Sequence, residues 1–120
     1  MGIRQITRTE WGEEHDSCFH PGCAARYRYT METHEILGGA DRAFTSQHPF
    51  YWIRLCRPHH AAISSRPSPG MLIAELAWKK LHDEEWYDPE RVIRLWRSKC
   101  TDEYVKELLE AIETEYQRIK

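Results

Sequence analysis

Two short-range pairs of soft metal ligands constrain this chain more than any other feature. Cys18 and Cys23 have four residues between them, in CFHPGC, and Cys56 and His59 have two, in CRPH. Pro21-Gly22 suits the tight turn that would point two thiolates at one ion. Tetrahedral zinc is commonly held by two such pairs brought together from separate parts of a fold, with thiolate and imidazole donors. The spacing predicts a structural zinc site of Cys18, Cys23, Cys56 and His59. His20, inside the first pair, is the rival ligand, and the plain alternative is a set of buried free thiols beside surface histidines.

A reducing compartment makes metal the better reading, and the sequence points to one. The N-terminal stretch MGIRQITRTEWGEEHD has no apolar core of signal-peptide length, so we expect a cytoplasmic protein, where cysteines more often bind metal than form disulfides. The 120 residues suit one compact domain, and a hydrophobic share of 41% with 30% charged is ordinary for a soluble chain. No window approaches the roughly 18 apolar residues a membrane span needs, so no membrane partner is expected. Six of the seven His and three of the four Cys lie between His15 and His60, which locates the chemistry in the first half.

Hydrophobic patterning divides the chain into an N-terminal arm (1–17), a core (18–66), a linker (67–70) and a helical extension (71–120). In the core, RYRYTM alternates from Arg26 to Met31 and continues through Thr33-His34-Glu35-Ile36 as a strand, ended by Gly38-Gly39. Phe50 to Leu55 is aromatic and β-branched enough for a second strand. Pro58 then opens a short helix from His59 to about Ser64. Arg66-Pro67-Ser68-Pro69-Gly70 cannot continue that helix. Three further helices follow: Met71 to His82; Pro89 to Lys99, capped by Asp88; and Asp102 to Ile119, capped by Thr101. Trp78, Trp86 and Trp96 read as core or interface anchors. The fold class is α+β, a small zinc-stabilised ββα unit followed by helices, and a unit that small has too little core to fold without its metal.

His60 projects about 100° from His59 on a helix, so it serves a different site. His34 and Glu35 stand at the end of the first strand, where a twist can turn both toward one cleft. A strand-end His-Glu pair, Gly-Gly, a strand ending Leu-Cys, and a helix opening His-His make a specific order.

That order resembles the HNH, or ββα-metal, endonucleases, particularly the small zinc-stapled forms of phage genomes. The matching stretches are CFHPGC, THEILGGADR and WIRLCRPHHA, between Cys18 and about Ile63. The resemblance implies a ββα-metal fold and metal-dependent hydrolysis of DNA phosphodiesters, with nicking the expected outcome. It implies that His34 and His60 hold one divalent ion, Mg²⁺ or Mn²⁺ with Zn²⁺ or Ni²⁺ as alternatives, that Glu35 occupies the general-base position, and that Cys18, Cys23, Cys56 and His59 hold the zinc. Arg42 and Arg57 would then contact phosphate, with Arg26, Arg28, Arg54 and Arg66 extending the surface; Arg suits bidentate phosphate contacts better than Lys. The resemblance also implies work beside a phage packaging terminase or portal.

This chain departs from the family pattern twice. The base position, commonly His, is Glu35, and a carboxylate titrating at about 4.3 is a weaker base at neutral pH than an imidazole at about 6.5. A shifted register, with His34 as base and Glu35 as ligand, suits a hard cation equally. The middle Asn is replaced by Tyr51, with Asp41 or His48 as substitutes. Both departures leave open a second function, a catalytically weak zinc-stapled module that binds DNA or protein, and a third, a metal-binding assembly protein working through its helical tail.

Net charge is −2, yet residues 17–70 hold six Arg, no Lys and three acids, a balance of +3, whereas residues 71–120 hold nine bases and twelve acids. The sequence pI of about 6.4 therefore describes the tail more than the active face, and DNA affinity should be modest and salt-sensitive.

Overall fold

A hairpin organises the chain. In the computed structural model, which describes residues 4–23, 30–39, 42–64 and 66–120, strands β1 (Met31–Glu35) and β2 (Trp52–Cys56) pair antiparallel, with Met31 opposite Cys56 and Glu35 opposite Trp52. Four of the five β2 side chains are buried, which requires cover on both faces. The predicted first strand began at Arg26; residues 24–29 lie outside the described residues, and β1 starts at Met31. Between the strands, the Ile36 N–H donates to the Tyr51 carbonyl at 2.8 Å, and a short helix α2 (Arg42–Thr45) and a single 3₁₀ turn (Pro49–Tyr51) fold back over the hairpin end. The indole N–H of Trp52 donates to the Thr45 carbonyl at 2.8 Å, pinning that return.

Helix α3 (Arg57–Ala61) follows β2 directly. Pro58 falls in its first turn, where a missing N–H costs nothing. The Arg57 N–H donates to the Thr30 carbonyl at 3.0 Å, tying the helix start to the head of β1. The result is a two-stranded ββα arrangement within an α+β domain.

The N-terminal segment is not the irregular arm expected from its polarity. Residues Arg8–Glu14 form helix α1, started by a reciprocal pair in which Thr7 Oγ1 accepts the Glu10 N–H and Glu10 Oε1 accepts the Thr7 N–H. Trp11 is fully buried, packed edge-on against Trp52 at 5.6 Å and Phe19 at 6.1 Å. One large aromatic on a two-turn helix supplies the burial, too short a segment to show helical periodicity.

Helices α4 (Pro69–His82), α5 (Pro89–Trp96) and α6 (Asp102–Ile119) complete the fold. Ser68 caps α4 by accepting the Met71 N–H, so the Pro69-Gly70 part of the predicted linker forms the first helical turn. Asp88 and Thr101 cap α5 and α6 as expected, while α5 stops at Trp96, short of Lys99. Leu72, Leu76 and Ala77 of α4 share one hydrophobic cluster with Trp52, Ile53 and Leu55, joined by Val92 and Ile93 of α5 and by Val105, Leu108 and Ile112 of α6. Trp78, Trp86 and Trp96 are buried in it. No helix among the described residues is long and apolar enough to cross a membrane.

A polar clamp runs through this core. Lys79 Nζ donates to the carbonyls of Pro49 (2.9 Å) and Trp52 (2.7 Å) and to Asp83 Oδ2 (2.8 Å). Asp83 also accepts from the Trp11 indole at 3.0 Å and lies 3.3 Å from His15 Nε2. It therefore fastens α1, β2 and α4 to one another.

Candidate functional site

Cys18, Cys23, Cys56 and His59 converge, with one ligand atom from each lying within 4.8 Å of all the others. Gly22, at φ 71°, takes the left-handed conformation that closes the CFHPGC turn, and the Cys23 N–H donates to the His20 carbonyl at 3.2 Å. The Phe19 N–H donates to the Arg54 carbonyl at 2.7 Å, laying that turn beside β2. Cys56 ends β2 and is the N-cap of α3, whose first turn presents His59.

The donor set fits a tetrahedral ion. Bonds of ~2.3 Å to sulfur and ~2.0 Å to nitrogen place neighbouring donors ~3.8 Å apart for two sulfurs and ~3.5 Å for sulfur and nitrogen. Cys23 Sγ and Cys56 Sγ are 3.9 Å apart, and His59 Nδ1 is 3.4 Å from Cys18 Sγ and 3.2 Å from Cys56 Sγ. Without a cation, burial pushes the Cys18 thiol up to about 12, whereas burial and the neighbouring His20 lower His59, favouring the neutral imidazole a metal needs. The group is compatible with structural zinc. His20 stands outside it, its ring stacked on that of His59 at 3.9 Å and 4°, so it packs on a ligand. Cys100 is not part of the group.

A second site opens on the other side of α3. A cleft of about 200 Å³ is lined by Arg8, Thr33, His34, Glu35, Gly38, Gly39, His60 and Ile63. His34 and Glu35, neighbours on β1, both reach it because the strand ends there. The rings of His34 and His60 stand edge to face with centroids 5.1 Å apart. Glu32, two residues before His34, is 2.6 Å from His60 Nδ1 through its Oε1, leaving Nε2 as the free nitrogen of that ring. Glu35 Oε1 accepts from Thr45 Oγ1 at 3.2 Å, and its Oε2 lies 3.6 Å from Arg8 Nη2.

Three cleft residues were not foreseen: Arg8, Glu32 and Glu75. Arg8 crosses from α1, donating to the Thr33 carbonyl at 3.2 Å and lying over the Trp52 ring at 5.5 Å. Glu75, from α4, is completely buried beneath His34, with Oε1 2.7 Å from His34 Nε2. That approach lacks hydrogen-bond alignment, and among the described residues neither Glu75 oxygen nor His34 Nε2 has a hydrogen-bond partner. Burial pushes the Glu75 carboxyl up, against the opposing pull of His34 and His60. Nothing in the sequence separates Glu75 from the solvated acids of the other helices, and Arg8 sits in a stretch with no motif.

The predicted phosphate-binding arginines divide. Arg57 is exposed at the start of α3. Arg54 is turned inward: Nε donates to the His15 carbonyl at 3.1 Å and Nη1 to Thr33 Oγ1 at 3.1 Å, with Asp16 3.8 Å away. It lies so close to Gly12 that a Cβ there would meet its Cζ at 3.2 Å. Arg66 donates to the Trp96 carbonyl at 3.3 Å. Arg26, Arg28 and Asp41 fall outside the described residues, and Arg42 is described only as the backbone start of α2. Tyr51, at the expected Asn position, is buried, and His48 packs against Phe44 at 4.3 Å.

No protein-family model, curated protein or solved structure matches this chain.

Proposed function

We propose that the protein is a metal-dependent DNA endonuclease of the HNH type, with its working centre in the His34–Glu35–His60 cleft and a zinc staple at Cys18, Cys23, Cys56 and His59. The observation that carries the reading is that His34 and Glu35, at the end of β1, and His60, on the helix after β2, line one cleft. That is the order the resemblance to ββα-metal nucleases requires.

In this reading His34 and His60 hold a divalent ion, Mg²⁺ or Mn²⁺. Bound there, the ion supplies a Lewis acid for the charge developing on the phosphate and the leaving 3′ oxygen. Glu35 takes the proton of the attacking water. Its carboxylate is anchored by Thr45 and faces Arg8, which holds it still for in-line attack. Glu32 fixes the His60 ring through Nδ1, so that Nε2 faces the ion. Arg8, at the cleft wall, and Arg57, exposed on α3, contact the phosphate. The phage terminase or portal is the partner the same reading carries, and a pull-down tests it.

The test is nicking of supercoiled plasmid in Mg²⁺, Mn²⁺ or EDTA, with His34→Ala and Glu35→Ala assayed separately. Metal-dependent nicking lost in both variants supports the proposal; full nicking in both sinks it. A second reading, a zinc-stapled binding module without catalysis, is favoured by the inward-facing Arg54 and by Tyr51 at the Asn position. It predicts plasmid binding in a mobility-shift assay with no metal-dependent nicking.

A further inference from the structure

The Glu75 carboxylate is the most unusual polar group in the fold. Glu75 and His34 Nε2 touch at 2.7 Å, yet neither they nor the second Glu75 oxygen make a hydrogen bond among the described residues. A carboxylate taken wholly out of water without a partner costs several kcal/mol. Side chains carrying such a group are retained where something compensates it.

Close contact without alignment is what two ligands of one ion display. Donor atoms bound side by side on a cation, each at ~2.1 Å and near a right angle, sit ~3 Å apart, and each lone pair points past its neighbour toward the metal. A His–Glu hydrogen bond would instead place the carboxylate oxygen along the ring N–H direction. The surroundings agree. The His60 ring stands edge-on to His34 with its Nε2 left free by Glu32. Lys79, one turn along α4, is engaged elsewhere, by two carbonyls and Asp83, and so does not neutralise Glu75.

From this geometry we propose that Glu75 is a carboxylate ligand of the divalent ion in the cleft, paired with His34 Nε2 and completed by His60 and water. The inference rests on the cleft binding an ion, as in the proposed function, and adds a ligand from α4, far downstream of the hairpin and helix that carry the resemblance. An imidazole–carboxylate set suits Mn²⁺ or Mg²⁺, whereas an all-imidazole set suits Zn²⁺ or Ni²⁺. It also explains why α4 belongs to the core: it closes the floor of the site.

The test is Mn²⁺ titration of the full-length zinc-loaded protein, followed by electron paramagnetic resonance of the free ion, with zinc content and circular dichroism as checks on folding. Wild type is expected to bind one Mn²⁺ per chain. Glu75→Gln, of equal size, should weaken Mn²⁺ at least ~10-fold while retaining its zinc. Glu75→His should reverse the preference, binding Ni²⁺ more tightly than wild type does and Mn²⁺ more weakly, a change that a residue acting only on the His34 ring would not produce. Wild-type Mn²⁺ affinity in Glu75→Gln, or an unaltered order of metals in Glu75→His, would overturn the assignment while leaving the His34–His60 site in place. Absence of Mn²⁺ binding by wild type would overturn both.

Discussion

Lys79 Nζ stands 2.8 Å from Asp83 Oδ2, one helical turn along α4, with both side chains closed to solvent. Neither charge is left over: the ammonium has two further carbonyl partners, and the carboxylate has the Trp11 indole and His15. Removing one member of a buried pair strands the other. Lys79→Met should therefore destabilise the protein by about 3–5 kcal/mol in urea unfolding, more than a surface Lys80→Met.

The same clamp sets an acid limit. Burial pushes Asp83 up, but His15, Lys79 and Trp11 outweigh it and hold its carboxyl down at about 2, against an ordinary 3.8. A folded-state value below the unfolded one contributes stability that is complete above the unfolded value and fades as pH falls toward the folded one. About 2 kcal/mol should be lost between roughly pH 4 and 2. The check is urea unfolding across that range, where Asp83→Asn, already lacking the contribution, should show a shallower fall than wild type.

Helix α1 should behave as core. Trp11→Ala is expected to cost about 3–5 kcal/mol, as for other fully buried large aromatics, and deletion of residues 1–17 should yield a chain without a cooperative thermal transition. Undiminished melting of the truncated protein would contradict the burial of Trp11 beneath Trp52.

One zinc per chain should survive Cys100→Ala and be lost in Cys56→Ala, measured by metal analysis of the purified proteins. A strong chelator should lower the melting temperature of wild type, because the binding energy of a structural zinc is folding energy.

Under the endonuclease reading, Glu35→Ala should lower nicking by about 10²–10⁴-fold. Glu35→His should retain more activity than Glu35→Ala near neutral pH, since an imidazole is the better matched base there. Equal loss in the two would move the base from position 35 to His34.

Local grammar carried much of the reading. The ligand spacing in CFHPGC and CRPH named all four members of the metal group, because short pairs on a turn and a helix start are almost rigid. Asp88 and Thr101 marked helix starts through their own side-chain chemistry. His34, Glu35 and His60 were legible through their places in a strand–strand–helix order. Helix α1 was not, since its only strong mark is one Trp, and the start of α4 was hidden by prolines that serve equally in a linker or a first turn.

What the amino-acid order determined alone was therefore local: element types, caps, the zinc ligands and the three residues at the hairpin end. Only the tertiary structure decided which distant groups meet them. Glu75 reaches His34 across 41 residues, Arg8 reaches Glu35 from the opposite direction, and Arg54 spends its donors on His15 and Thr33 rather than on solvent. The physical reason is that a charged side chain has no intrinsic address. An Arg or Glu reads as solvated surface until packing of its helix removes the water, and after that its nearest partner, not its neighbours in sequence, determines its chemistry.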